Sequence, residues 1–183
     1  MSHRCPTCRL ALADCICAEV PRVPTRTRVL VLRHVLERMR ASNSARLAAL
    51  ALPSCEIVEY ALPGVAPNWE RLEESGTVLL YPGGDTAVPS DVRQLVVLDG
   101  SWSQARRMTQ RIPELRRLPR LSLCAPAANI ARLRRPPREG HMATLEAIAR
   151  ALELLEGPEV ARPLDALFAE AVRRQRALGW HET

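Results

Sequence analysis

Short apolar runs alternate with amphipathic stretches along most of this chain. Arg28–Arg33 (RVLVLR), Cys55–Tyr60 (CEIVEY), Thr77–Tyr81 (TVLLY), Gln94–Leu98 (QLVVL) and Arg120–Cys124 (RLSLC) are brief and rich in Val and Leu, and they predict strands. Val35–Leu52, Ser101–Ile112 and Thr144–Glu156 predict helices, closed by Pro53, Pro113 and Gly157-Pro158. The last of these sets Leu145, Ile148, Leu152 and Leu155 on one face. Pro163 is expected to open a final helix carrying Leu164, Leu167, Phe168, Ala171 and Val172. Pro82-Gly83-Gly84-Asp85 reads as a turn and Pro63–Pro67 as a loop. Apolar strands separated by helices predict an α/β fold with a largely parallel sheet and flanking helices. Ligands bind such sheets beyond the strands' carboxyl ends, so the segments after Arg33, Tyr81, Leu98 and Cys124 are the places to look.

A length of 183 residues with 47% hydrophobic content suits one compact domain with a small appendage. Aromatic residues make up only 3%, so the core must be aliphatic. The most apolar stretch, Ala45–Pro53, is too short to span a bilayer. Cysteines and charges interrupt the first twenty residues, unlike a secretory signal. The expectation is a cytoplasmic protein with no membrane association and no evident obligate protein partner.

The net charge of +6 rests entirely on arginine, since the chain has no lysine. Arg106, Arg107, Arg111, Arg116, Arg117 and Arg120 form one cluster, Arg132, Arg134, Arg135 and Arg138 a second, and Arg173, Arg174 and Arg176 a third. Guanidinium groups pair bidentately with phosphates, so the clusters suit a nucleic acid. Charge alone fits a solvated helix face equally well.

Cys5, Cys8, Cys15 and Cys17 read C-x2-C-x6-C-x-C. Four thiolates in one short loop can close a tetrahedron around Zn(II), and four cysteine ligands leave no open position for catalysis. A disulfide needs an oxidising compartment, and a redox C-x-x-C would sit beside a βαβ unit, so a structural zinc element is favoured. His3 is a spare ligand at most, while Cys55 and Cys124 lie in apolar runs and read as core thiols.

Strand Gln94–Leu98 leads into Asp99-Gly100-Ser101-Trp102. Gly100 permits a sharp turn, and Ser101 with Gln104 forms a capping box at the next helix. Asp99 thus lies at a strand's carboxyl end beside a helix N-terminus, where it is either a functional carboxylate or a cap. Trp102 lies in a helical stripe with Ala105, Met108 and Ile112 and reads equally as core.

Asp99-Gly100-Ser101-Trp102-Ser103-Gln104-Ala105-Arg106 resembles the signature of the DTW-domain family, with serine in place of threonine. Other matches run in order along the chain. The cysteine cluster resembles that of the tRNA-acting members. His34-Val35-Leu36-Glu37 resembles His-Pro-x-Glu, and Ser42-Asn43-Ser44 resembles Ser-Asn-Thr. Leu80-Tyr81-Pro82, Leu133-Arg134 and Ala143-Thr144-Leu145-Glu146-Ala147 resemble further family segments. Val35 stands where the family usually has proline, and Ala143 where it has serine.

The resemblance implies a SPOUT-like sheet with a knotted S-adenosylmethionine site at 25–183, after a zinc-binding element at 1–24. It implies transfer of the 3-amino-3-carboxypropyl group to N3 of a tRNA uridine, with release of methylthioadenosine. Asp99 is then the candidate base or proton-orienting acceptor, and Trp102 stacks on the uracil or walls the pocket. Ser44, Tyr81, Pro82, Gly83, Ser101, Leu123, Arg134 and Thr144 become candidate cofactor contacts, with Arg134 facing either the cofactor carboxylate or an RNA phosphate. His34, Glu37, Asn43 and Glu146 are further pocket candidates. The competing readings are an rRNA substrate, a SPOUT-type RNA methyltransferase and a non-catalytic zinc-ribbon RNA-binding protein.

Overall fold

The computed structural model describes residues 4–40, 42–61, 63–64, 68–85, 90–123 and 142–177. Five strands form one sheet: β1 (Arg28–His34), β2 (Cys55–Tyr60), β3 (Thr77–Asp85), β4 (Gln94–Asp99) and β5 (Arg120–Leu121). Their order is β2-β1-β4-β3-β5, and every pairing is parallel. The helices are α1 (Ala45–Ala51), α2 (Trp102–Arg111), α3 (Pro113–Arg117), α4 (Thr144–Glu156) and α5 (Pro158–Ala177). The chain leaves β1 toward one edge of the sheet and leaves β4 toward the other. Adjacent β1 and β4 therefore define a topological switch point, with Arg33 paired to Asp99 at its carboxyl end.

Strand alternation divides the core in two. Val29, Val31, Val78, Leu95 and Val97 face one side, where α1, α4 and α5 bring Leu47, Leu145, Ile148, Leu152 and Phe168. Leu30, Leu32, Leu79 and Val96 face the other, against Met108 and Ile112 and against Leu115 of α3. Phe168 is the one buried aromatic side chain among the described residues, so the core is aliphatic, as the composition implies. Cys5, Cys8, Leu10 and Ile16 are buried in the first of these cores, so the cysteine element is packed into the sheet domain and not hung from it. Arg174 of α5 reinforces this with a hydrogen bond to the Cys15 carbonyl at 2.7 Å and an ion pair to Glu19.

Four sequence expectations change. The helix expected over Val35–Leu52 is a single 3-10 turn, Val35–Glu37, followed by irregular chain and then α1. The intervening Asn43 and Ser44 are buried and bonded to other segments, which fixes that backbone outside a helix. The turn expected at Pro82–Asp85 is absorbed into β3 as an irregularity between Leu80 and Asp85, with Gly83 at φ +83°. The strand expected over Arg120–Cys124 spans Arg120–Leu121 as β5, and Cys124 lies outside the described residues. The last helix opens at Pro158, not Pro163. Gly157 at φ +106° ends α4, Pro158 is suited to the first helical position, and Pro163 is carried inside at the loss of one backbone hydrogen bond. Among the described residues no helix is long and apolar enough to cross a membrane. The path of 124–141, on which a knot would turn, lies outside the described residues.

Ala143 takes the extended N-cap conformation of α4 (φ −69°, ψ 156°) without a hydroxyl to cap it. Glu146 Oε2 supplies half of a capping box by accepting from the Ala143 N–H at 2.7 Å. Ala143→Ser should complete the box and raise unfolding stability by about 1 kcal/mol. Urea denaturation checks this, read as a rise in midpoint with unchanged slope.

Candidate active site at the carboxyl edge of the sheet

The last residue of β4, Asp99, is 2% exposed. Its Oδ1 accepts from the Thr144 hydroxyl at 2.6 Å, and its Oδ2 accepts from the Asn43 side-chain amide. The Asn43 carbonyl oxygen in turn faces Arg33 Nη1 at 3.5 Å, and Arg33 is ion-paired with Glu59 of β2. Ser44 does not cap its own helix. Its hydroxyl accepts from the Leu145 N–H at 3.1 Å, satisfying an orphan donor in the first turn of α4. Residues near positions 33, 43, 59, 99 and 144 are thereby locked into one polar cluster over the α1/α4 face.

The helix-capping alternative for Asp99 does not hold. Ser101 caps α2 by accepting from Gln104 N at 3.3 Å, while Gln104 Oε1 accepts from Ser101 N at 2.6 Å. Gly100 does not use a left-handed conformation. A Cβ there would come within 3.1 Å of Gln104, so the missing side chain serves close approach. Trp102 is 43% exposed and is not core. Its ring lies 6.3 Å from that of Tyr81. Glu37 is buried and paired with Arg40 at 3.4 Å.

His34 lies one residue beyond Arg33 and so on the opposite face of the sheet. Its Nδ1 accepts from the Leu36 N–H at 3.3 Å, and Gln104 Nε2 approaches the same atom at 3.3 Å. A backbone N–H only donates, so the ring's proton sits on Nε2.

Of the expected cofactor contacts, Ser44, Ser101 and Thr144 use their hydroxyls within the protein. Tyr81, Pro82 and Gly83 lie at the end of β3, Leu123 is half-buried, and Arg134 lies outside the described residues, as does His3. The arginine clusters divide. Arg106, Arg107, Arg111, Arg116 and Arg117 are exposed on α2 and α3 and make no ion pair among the described residues. Arg173 and Arg174 instead pair with Glu170. The 132–138 group lies outside the described residues. Residue types gave no warning of Arg33 and Glu59. A parallel register read from the strand pattern would have placed them level with Asp99.

The sulfur atoms of Cys5, Cys8, Cys15 and Cys17 all lie within 4.8 Å of one another. Cys5 and Cys17 are 3.7 Å apart, and Cys8 and Cys15 are 3.8 Å apart. A tetrahedral zinc with bonds of about 2.3 Å would space its sulfurs by about 3.8 Å, so the cluster fits that ion, and these cysteines are free of disulfides. The backbone N–H groups of Cys8 and Thr7 bring the Cys5 thiol down to about 6, whereas burial and the neighbouring thiols push Cys17 up to about 12.

Comparison with known proteins gives the family. The DTW domain model matches residues 2–176, and the chain belongs to that family. It is 30% identical to tRNA-uridine aminocarboxypropyltransferase 2 of Drosophila melanogaster, over 90% of this chain and 73% of the fly protein. The macaque (Macaca fascicularis) and mouse (Mus musculus) proteins of the same name are 26% and 27% identical over 89% of this chain. The match spans only 61% of each of those two proteins. No solved structure matches the chain.

Thr144→Val keeps the shape at the Asp99 carboxylate but removes a donor. Leaving a buried acceptor short of a partner costs about 1–3 kcal/mol. The variant should lose that much stability in urea unfolding, whereas Ser103→Ala, on an exposed side chain, should lose almost none.

Proposed function

We propose that this protein is a tRNA-uridine aminocarboxypropyltransferase. It moves the 3-amino-3-carboxypropyl group of S-adenosylmethionine to N3 of a uridine and releases methylthioadenosine. One observation carries the reading: the chain aligns along nine-tenths of its length with the fly protein named for that activity. The polar cluster supports it, because three family-like segments around Asn43, Asp99 and Thr144 converge on one buried carboxylate at a parallel sheet's switch point.

The sulfonium donor supplies an electrophilic carbon that needs no further activation. In the transfer the N3–C bond forms, the C–S bond breaks with its electron pair left on sulfur, and N3 gives up its proton. The protein's task is then to orient the nucleophile and to choose one of three carbons by position. Asp99 is proposed to accept the N3 proton or to orient N3–H while that proton leaves. Asn43 and Thr144 hold its two oxygens so that the carboxylate cannot rotate. The proposed donor site is a SPOUT-like knotted region next to Asp99, bordered by Tyr81–Gly83, Leu123, Arg134 and the start of α4. Ser44 and Thr144 shape its wall by their bonds within the protein. Residues 1–24 form the proposed zinc element and 25–183 the catalytic part, with Zn(II) held by Cys5, Cys8, Cys15 and Cys17 in a structural role.

Asp99→Asn keeps the shape and can still bond Thr144, but it cannot take a proton. Single-turnover transfer should fall about 100- to 10,000-fold, with S-adenosylmethionine affinity by calorimetry unchanged. Near-normal turnover would remove Asp99 from the chemistry, and lost cofactor binding would move it into the cofactor site. Elemental analysis should find one zinc per chain. Chelation should lower the temperature of a single unfolding transition, because the cysteine element shares the main core.

A further inference from the structure

The carboxyl edge of the sheet has a second face, of which the proposed reaction uses only the Tyr81 end. Arg33, Glu59 and Asp99 end their strands on the α1/α4 side. The next side chains along, on the α2 side, are of another kind. Tyr60 ends β2, His34 ends β1 and pairs in register with Tyr60, and Tyr81 lies on β3. Their rings are linked in sequence across the edge. Trp69 lies 6.4 Å from Tyr60, and Tyr60 lies 5.9 Å from His34. Beyond the bare backbone of Gly100, Trp102 lies 6.3 Å from Tyr81, and the Arg120 guanidinium stands 5.3 Å over the Tyr81 ring.

The chain has only six Phe, Trp and Tyr residues, and four of them are in this row. None of the four is buried, in a protein whose core is otherwise well filled by aliphatic side chains. Tyr60, Trp69 and Tyr81 pack only partly against the second core and Trp102 is exposed, so each ring keeps surface open at this edge. The helices that cover this same face, α2 and α3, carry the five exposed arginines that make no ion pair among the described residues. Midway along the row, His34 presents an Nε2–H that makes no hydrogen bond among the described residues.

We propose that this row is a stacking track for unpaired RNA bases, and that it seats the nucleotides flanking the target uridine. π-faces take bases of any identity, the Arg120 guanidinium over Tyr81 takes a phosphate, and the His34 donor takes one base edge. The mixture of rings and positive charge suits a single-stranded polyanion better than a protein or a duplex. The inference rests on the proposed RNA substrate, but its test reads binding and not transfer.

The test uses Tyr60→Leu with Trp69→Leu, at the end of the row furthest from Tyr81. Tyr60→Phe with Trp69→Phe serves as the control that keeps both π-faces. The probe is a fluorescent single-stranded oligouridylate on the order of ten nucleotides long, followed by anisotropy. The leucine pair should weaken binding about 5- to 150-fold for each base that loses its stacking partner. The phenylalanine pair should bind like the unsubstituted protein, and both pairs should melt with it. The loss should be absent on duplex RNA of the same length. Unchanged single-strand affinity in a folded leucine pair overturns the track, and so does an equal loss on duplex. A fall in S-adenosylmethionine affinity measured by calorimetry would give the row to the cofactor's adenine and also overturns it. Failure of the transfer reaction with stacking intact would sink the proposed reaction and leave the track standing. Intact transfer with unchanged RNA affinity would do the reverse.

Discussion

A carboxylate buried at the end of a central strand needs partners, because burying it bare would cost far more than a small domain can spare. Asp99 finds them in Asn43 and Thr144, on segments 56 and 45 residues away in sequence. Those two bonds decide much of what surrounds them. They hold the chain after β1 out of the helix that its composition favours, and they seat the start of α4 against β4. The Ser44 bond to the first turn of α4 follows from the same approach. Asn43 also extends the cluster to Arg33, and through Arg33 to Glu59 on the far strand.

The strict alternation of a strand then gives the carboxyl edge two separate chemistries. The central strands β1 and β4 are apolar through their middles, and their carboxyl ends turn polar. On one face those residues are ionic and amide-bearing. On the other they are aromatic, with a histidine whose tautomer is set by the chain's own N–H groups. The cysteine element joins the core under the first face through Leu10 and Ile16.

The sheet was legible because its signal is local: Val and Leu runs such as RVLVLR and QLVVL have no other good use. The cysteine spacing and the Asp99 segment were legible as motifs, and their order along the chain pointed to the family. Val35–Leu52 was misread because its apolar residues are periodic enough for a helix, yet Leu36 and Met39 prove 65% and 64% exposed. No local rule says that Asn43 and Ser44 are claimed by residues far along the chain. Trp102 was ambiguous for the same reason, since a helical stripe does not tell which end of it meets solvent. The aromatic row was not legible at all. It needs the strand order β2-β1-β4-β3-β5 before Tyr60, His34 and Tyr81 become neighbours.

The central claim is that this chain makes its bond to uridine with the aminocarboxypropyl arm of the cofactor. The direct measurement is mass spectrometry of both products after the purified protein is incubated with unmodified tRNA and S-adenosylmethionine. The account predicts an aminocarboxypropyl-uridine in the digested tRNA and an equal amount of methylthioadenosine in solution. A methylated nucleoside accompanied by S-adenosylhomocysteine would contradict it.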